Sequence, residues 1–83
     1  VDAMQDIETA LRGIIATIVE TDADFPIEAD LRDDLELDSH RAIEMVFEIE
    51  RVFAIRIPNE RHAQMRTLAG IMGVVAALGA AGG

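Results

Sequence analysis

The 83-residue sequence contains no cysteine, tryptophan, tyrosine or lysine. Without cysteine there is no disulfide framework, no thiolate metal site and no thiol nucleophile in the polypeptide. Aromatic residues amount to 4%, all phenylalanine. Nucleic-acid platforms need stacking aromatics or a basic surface, and this chain has neither. Its 7 basic residues, all arginine, face 16 acids, for a formal charge of −9. That balance repels phosphate backbones. It favours partners with basic patches, with charge steering the encounter and salt weakening it. Long apolar runs are missing too. Asp2, Asp6, Glu8 and Arg12 break up the N-terminal part, and the weakly polar stretch 68–83 falls short of the ~20 residues that span a bilayer. Neither a signal peptide nor a membrane span is expected, and a cytoplasmic location is.

The sequence is 51% hydrophobic, enough to build a core rather than a disordered acidic tail. The length suits a single domain over 1–83, with 79–83 expected to fray as a flexible tail. Met4, Ile7, Leu11, Ile14, Ile15 and Ile18 recur at three- and four-residue steps, which predicts a helix over about 3–20. Asp2 is its expected cap. Gly13 lies inside that stripe, at ~1 kcal/mol against alanine, and suggests a close packing contact. Pro26 ends any helix there. The long connection 21–37 still carries Phe25, Ile27, Leu31, Leu35 and Leu37, spaced like anchors for an ordered loop. A second helix is predicted over 39–53, with Met45, Val46, Ile49, Val52 and Phe53 as its core stripe. Ala54 to Ile57 read as a short extended piece ending at Pro58. Asn59 is expected to cap a short helix of about 60–65. Thr67 is expected to cap a last helix with Leu68, Ile71, Val74, Val75 and Leu78 facing inward. The fold class is therefore all-α, a small bundle of three main helices and one short helix, with a long loop after the first.

On the second helix Ile43 and Phe47 lie four residues apart, outside the main stripe. Periodicity alone leaves two readings open: burial under a wide apolar sector, or partial exposure beside Glu44 and Glu48 as a docking surface. At the start of that helix Asp38-Ser39 presents a hydroxyl where loop becomes helix. Backbone N–H groups there favour negative charge, including phosphate, and Asp38 is suited to cap the helix and hold Ser39 in place.

The ordered series Asp33-Asp34-Leu35, two residues, Asp38-Ser39, then Glu44, Ile57-Pro58-Asn59-Glu60 and Thr67-Leu68-Ala69-Gly70-Ile71 resembles the acyl carrier protein family over nearly the whole chain. The resemblance implies a non-catalytic carrier. Ser39 would receive 4′-phosphopantetheine from coenzyme A through a phosphopantetheinyl transferase with Mg²⁺, Asp38 would position it, and the arm's thiol would hold acyl groups as thioesters. It also implies that His40, Ile43, Glu44, Phe47 and Glu48 meet successive enzymes. Those partners would be the transferase, an acyl-loading acyltransferase or ligase, and a ketosynthase or other pathway enzyme. Glu44 and Glu48 would face Arg or Lys on them, at about 0–1 kcal/mol for each exposed pair. A monomer is expected, with no nucleic-acid or membrane partner and no bound metal.

Two positions depart from the family pattern. His40 stands where an aliphatic residue, most often leucine, follows the serine, and Glu36 stands where glycine is common. Arg41 adds a positive charge to the same corner. Peptidyl carriers typically show Gly-Gly before the serine element, which is absent. His40 and Arg41 favour a polyketide or other specialised-metabolite pathway over primary fatty-acid synthesis.

Other readings fare worse. Asp38, Ser39 and His40 are consecutive on a helix and point in different directions, so they do not form a hydrolase triad, and the Gly-x-Ser-x-Gly elbow is absent. Asp22 and Asp24 are followed by Pro26 without the glycine and terminal glutamate of a calcium loop. His40 and His62 lack zinc-ligand spacing, and His62 reads as a surface residue. Gly82-Gly83 resembles the end of ubiquitin-like sulfur carriers, but those folds are β-rich. The rival of a different class is an unmodified helical interaction module using Ile43, Phe47 and the acids.

Overall fold

The computed structural model describes residues 3–82, with side-chain burial defined as far as residue 79. Helix α1 spans Ala3–Val19 and α2 Ser39–Phe53. A 3-10 helix covers Asn59–Gln64, and α3 runs over Leu68–Gly82. No strand occurs among the described residues. α1 packs against both α2 and α3, and α3 packs against the 3-10 helix. The expected all-α bundle of three main helices and one short helix is what forms. The expected tail lies in the last turns of α3 as far as Gly82, while the Asp2 cap and Gly83 lie outside the described residues.

Leu11 and Ile15 of α1, Met45 and Ile49 of α2, and Leu68, Ile71, Val74 and Val75 of α3 make up the buried centre. Each fully buried aliphatic side chain of this size contributes about 1.5–3 kcal/mol relative to exposure. The sequence stripe overreaches at two places. Met4, in the first turn of α1, is 40% exposed, since the stripe is fully buried only at mid-helix. Val52 is 46% exposed. It stands at the edge of the buried arc of α2, over an open groove shared with Glu44, Glu48 and the Thr9, Gly13 and Thr17 face of α1. Gly13 therefore makes no close packing contact: a Cβ there would meet nothing within 4 Å.

The long connection is part of the core. Phe25, Leu31 and Leu37 are buried, and Ile27 and Leu35 pack against the same cluster. Its backbone is tied to the start of α3. The Leu31 N–H donates to the Arg66 carbonyl at 2.8 Å, and the Ala69 N–H donates to the Ile27 carbonyl at 3.0 Å. Arg12 secures the near end. It pairs with Glu8 at 2.8 Å, donates to the carbonyls of Ala23 and Phe25, and lies 5.1 Å from the Phe25 ring centroid.

Asp30 organises the far end. Its carboxylate accepts from the N–H groups of Arg32 at 2.9 Å and Asp33 at 3.0 Å, and from the Arg66 guanidinium at 2.7 Å. The Asp34 carboxylate reciprocates by accepting the Asp30 N–H at 2.8 Å. The Asp33 N–H holds the Asp30 carboxyl below its ordinary value, helped by the Arg32 N–H and Arg66, against an opposing effect of burial second only to the Asp33 bond. A depressed folded-state value lends stability that is fully present above the unfolded value of about 4 and is lost as pH falls through the folded one. Asp30→Asn is accordingly expected to flatten the acid limb of the stability–pH curve below about pH 4, read as the urea midpoint against pH.

Glu36 has φ 59°, in the left-handed region that penalises a side chain. This is the position where the family resemblance leads one to expect glycine. The strain of about 1–2 kcal/mol exceeds the entropy that glycine adds to the unfolded chain. Glu36→Gly is expected to raise stability by about 0.5–1 kcal/mol, measured as a higher urea midpoint. A lower midpoint would contradict the strain.

Two caps differ in outcome. The Gly70 N–H donates to the Thr67 hydroxyl at 3.0 Å, so Thr67 caps α3 as expected. Asn59 does not cap the short helix. Pro58 occupies the cap position without a side-chain hydrogen bond, and Asn59 is the first residue of a 3-10 turn. Its proline-fixed entry (φ −65°, ψ 152°) already sets the backbone direction that a side-chain cap would otherwise stabilise. The predicted alternation before it holds without strand pairing: Ile57 is buried and Ile55 half-buried, with Ala54 and Arg56 exposed.

Candidate functional site

α2 begins where the connection ends, and Asp38 sets the boundary. Its backbone is extended (φ −81°, ψ 176°), and its carboxylate accepts the Arg41 N–H at 2.8 Å. Leu37 is buried just before it, and its N–H donates to the Leu31 carbonyl at 2.9 Å. The chain is thus anchored on one side and capped on the other, and Ser39 occupies the first helical position. Ser39 is exposed, and its hydroxyl makes no hydrogen bond among the described residues. It is also the only serine in the chain. At the far end, Ala54 takes the left-handed cap conformation, and its N–H donates to the Glu50 carbonyl. The Glu50 carboxylate then accepts the Ile57 N–H at 2.7 Å, fixing the return of the chain toward the 3-10 helix.

An apolar cleft of about 610 Å³ opens beside Ser39, between α2, the long connection and the 3-10 helix. Leu37, Met45 and Met65 lie buried along it, and Ile43 and Phe47 form its outer lip. Arg32, Arg66 and His62 stand at its margins, and no acid lines it. In a chain of charge −9 this segregation was not legible from spacing, because Arg66 and the connection are brought together only by the fold. His62 is exposed, as expected of a surface residue.

Ile43 and Phe47 are 56% and 66% exposed, which resolves the two readings left open by periodicity in favour of an exposed ridge. Ser39, Ile43 and Phe47 succeed each other at four-residue steps, so the ridge starts at the serine. Glu44 and Glu48 flank it. His40 Nε2 lies 2.9 Å from Glu44 Oε1. Glu48 is gripped by Arg51 through Nε at 3.0 Å and through Nη2, and this contact holds the Glu48 carboxyl below its ordinary value. Ser39, His40, Ile43, Glu44, Phe47 and Glu48 therefore run along the first ten residues of α2, with Asp38 at its cap.

This arrangement offers an accessible hydroxyl at a helix start, where the first backbone N–H groups have no intrahelical partner and favour an added phosphate. Among the described residues no group of three or more His, Asp or Glu side chains could hold a metal ion, and no helix is long and apolar enough to cross a membrane. Among families of known proteins, the one described as phosphopantetheine attachment site matches residues 9–75. No curated protein gives a significant match.

Proposed function

The chain belongs to the phosphopantetheine attachment-site family, and from that premise we propose that Ser39 is the residue that carries the arm. The observation that carries this reading is the exposed Ser39 hydroxyl, the only serine hydroxyl in the chain, fixed at the first position of α2 by the Asp38 cap. The residues fit the group. The hydroxyl has no internal hydrogen bond to surrender, the helix start favours a phosphate, and the apolar cleft beside it has room for an acyl chain. When bound, 4′-phosphopantetheine supplies the thiol that the cysteine-free polypeptide lacks, and acyl groups ride on it as thioesters. The protein's own part is to hold the attachment oxygen in place and to present a face for enzymes. Asp38 positions Ser39 through the helix start.

The partners in this reading are a phosphopantetheinyl transferase, an acyl-loading acyltransferase or ligase, and a ketosynthase or similar enzyme, steered toward the chain by its −9 charge. A polyketide or other specialised-metabolite pathway in the cytoplasm is favoured over primary fatty-acid synthesis. Arg41, 3.9 Å from Glu20, adds a positive charge to this corner, and His40, in contact with Glu44, puts a polar side chain where a carrier with leucine after its serine has an apolar one.

The test is intact-protein mass before and after incubation with coenzyme A, Mg²⁺ and a broad-specificity transferase. One added arm is expected. A folded chain that gains none, beside a working control carrier, would favour the unmodified interaction module. For the pathway, the loaded chain is expected to turn over faster with a polyketide ketosynthase than with a fatty-acid one, and the reverse order would overturn that assignment.

A further inference from the structure

The cleft beside Ser39 carries the sign of charge that the rest of the chain lacks. The chain holds 16 acids against 7 bases. Among the described residues no Asp or Glu lines this cleft, while Arg32, His62 and Arg66 do. The groove between α1 and α2 is the reverse, lined by Glu44 and Glu48 and by no base. The three basic residues of the cleft are not equivalent. Arg66 is engaged by Asp30 at 2.7 Å and lies 3.7 Å from Asp33. The Arg32 guanidinium and the His62 imidazole make no hydrogen bond or ion pair among the described residues. Asp33, Glu36 and Asp38 line a separate open hollow with Arg32, and none of them pairs with its guanidinium. Two unengaged donors thus stand at the margin of a cleft walled by buried Leu37, Met45 and Met65. A few polar groups on an otherwise apolar wall are what orient a ligand and select it.

Room for an acyl chain belongs to the carrier reading of Ser39, on which this inference rests. The margin of the cleft adds a choice among acyl chains. We propose that Arg32 and His62 select a carboxylate-ended cargo, a dicarboxylic acid carried as its half-thioester, with its methylenes along the apolar walls and its free carboxylate on these two side chains. A plain alkyl end leaves both donors to water and draws nothing from them. A carboxylate accepts two parallel bonds from a guanidinium, and an imidazole has an N–H to donate in either protonation state. Such bonds strengthen at the edge of an apolar wall, where water is partly excluded. Charge complementarity also fixes the place. In the groove between α1 and α2 the same carboxylate would meet Glu44 and Glu48, and like charges repel.

The experiment loads the chain from octanoyl-coenzyme A and from octanedioyl-coenzyme A with one broad-specificity transferase. It reads the rate at which hydroxylamine cleaves each thioester, at about 50 mM and about 500 mM NaCl. The two coenzyme A thioesters, free in solution, set the reference rates. A chain seated in the cleft holds its thioester back from the reagent. Relative to its reference, the octanedioyl load is expected to be cleaved about threefold more slowly than the octanoyl load, with a smaller difference at high salt. Arg32→Gln and His62→Gln are each expected to reduce that ratio, and the double variant to bring it to about one. Both side chains are exposed, and unchanged helicity by circular dichroism would confirm that the variants fold. Octanedioyl cleavage no slower than octanoyl in the wild-type chain, or a ratio that survives in the double variant, would overturn the proposal. Variants that speed the cleavage of both loads alike would overturn it too, by assigning the two side chains to the arm's phosphate instead of the cargo. A folded chain that takes no arm from either donor, beside a working control carrier, would overturn the carrier reading itself, and this inference with it.

Discussion

Ser39→Ala is expected to fold as the wild-type chain does and to take up no arm. The hydroxyl contributes nothing to the fold that alanine would lose. It makes no hydrogen bond among the described residues, it is exposed, and the cap on α2 comes from Asp38 accepting the Arg41 N–H. Alanine also has the highest helix propensity, so the first turn is not weakened. Stability is expected to stay within about 0.5 kcal/mol of wild type, as for surface substitutions away from special features. The chain has no other serine, and its four threonines lie elsewhere: Thr9 and Thr17 donate to carbonyls of α1, Thr21 follows α1, and Thr67 caps α3. Intact mass after transferase treatment, with circular dichroism as the folding control, reads both halves of this expectation. Any arm on the folded variant would place the attachment site elsewhere.

Gly70→Ala is expected to be among the most destabilising single changes available to this protein. Gly70 lies in the first turn of α3, beside the end of the 3-10 helix. A Cβ at this position would sit 1.9 Å from the Gln64 carbonyl oxygen and 3.1 Å from its carbon. Those are backbone atoms, so no rotamer change relieves the clash, and either α3 or the 3-10 helix must move. Movement there pulls on the Thr67 cap and on the Ala69 to Ile27 and Leu31 to Arg66 hydrogen bonds that hold the long connection. Overpacking costs typically 1–3 kcal/mol and more when backbone must shift, while alanine returns up to about 1 kcal/mol of helix propensity. A net loss of about 1–3 kcal/mol is expected, from a total of roughly 4–12 kcal/mol for a chain of this size. Gly13→Ala is the control. It lies mid-helix in α1, and nothing lies within 4 Å of its Cβ position, so the propensity gain should appear as increased stability. Urea midpoints that move in the same direction for both variants would contradict the assignment of Gly70 to a backbone contact.

The helices were legible because their signals are local. Asp38 and the Met45–Ile49 repeat mark α2, and Thr67 with Leu68, Ile71, Val74 and Val75 marks α3. The anchors of the long connection were legible as well, since Phe25, Leu31 and Leu37 are large apolar residues in a stretch otherwise rich in acids. Periodicity could not decide whether Ile43 and Phe47 are covered, because that depends on which neighbours exist on that side. The same limit misplaced Val52, whose spacing fits the core stripe while the groove above it stays open. The Asp30 hub left no trace in the sequence. Its guanidinium partner is Arg66, 36 residues away, and nothing distinguishes Asp30 from the acids around it. In the sequence Glu36 stands out only as a departure from a family habit, and its left-handed backbone supplies the physical reason for that habit.

In the proposed reading a single hydroxyl, on Ser39, carries the arm. Cleavage after Arg32 and Arg41 releases the peptide 33–41, in which Ser39 is the only hydroxyl residue. The decisive measurement is the fragment spectrum of this peptide from chain treated with coenzyme A, Mg²⁺ and transferase. The whole mass of one arm is expected on Ser39, with every other peptide unmodified. An unmodified 33–41 peptide from a chain that has gained the arm, or from a folded chain that gains none, would contradict it.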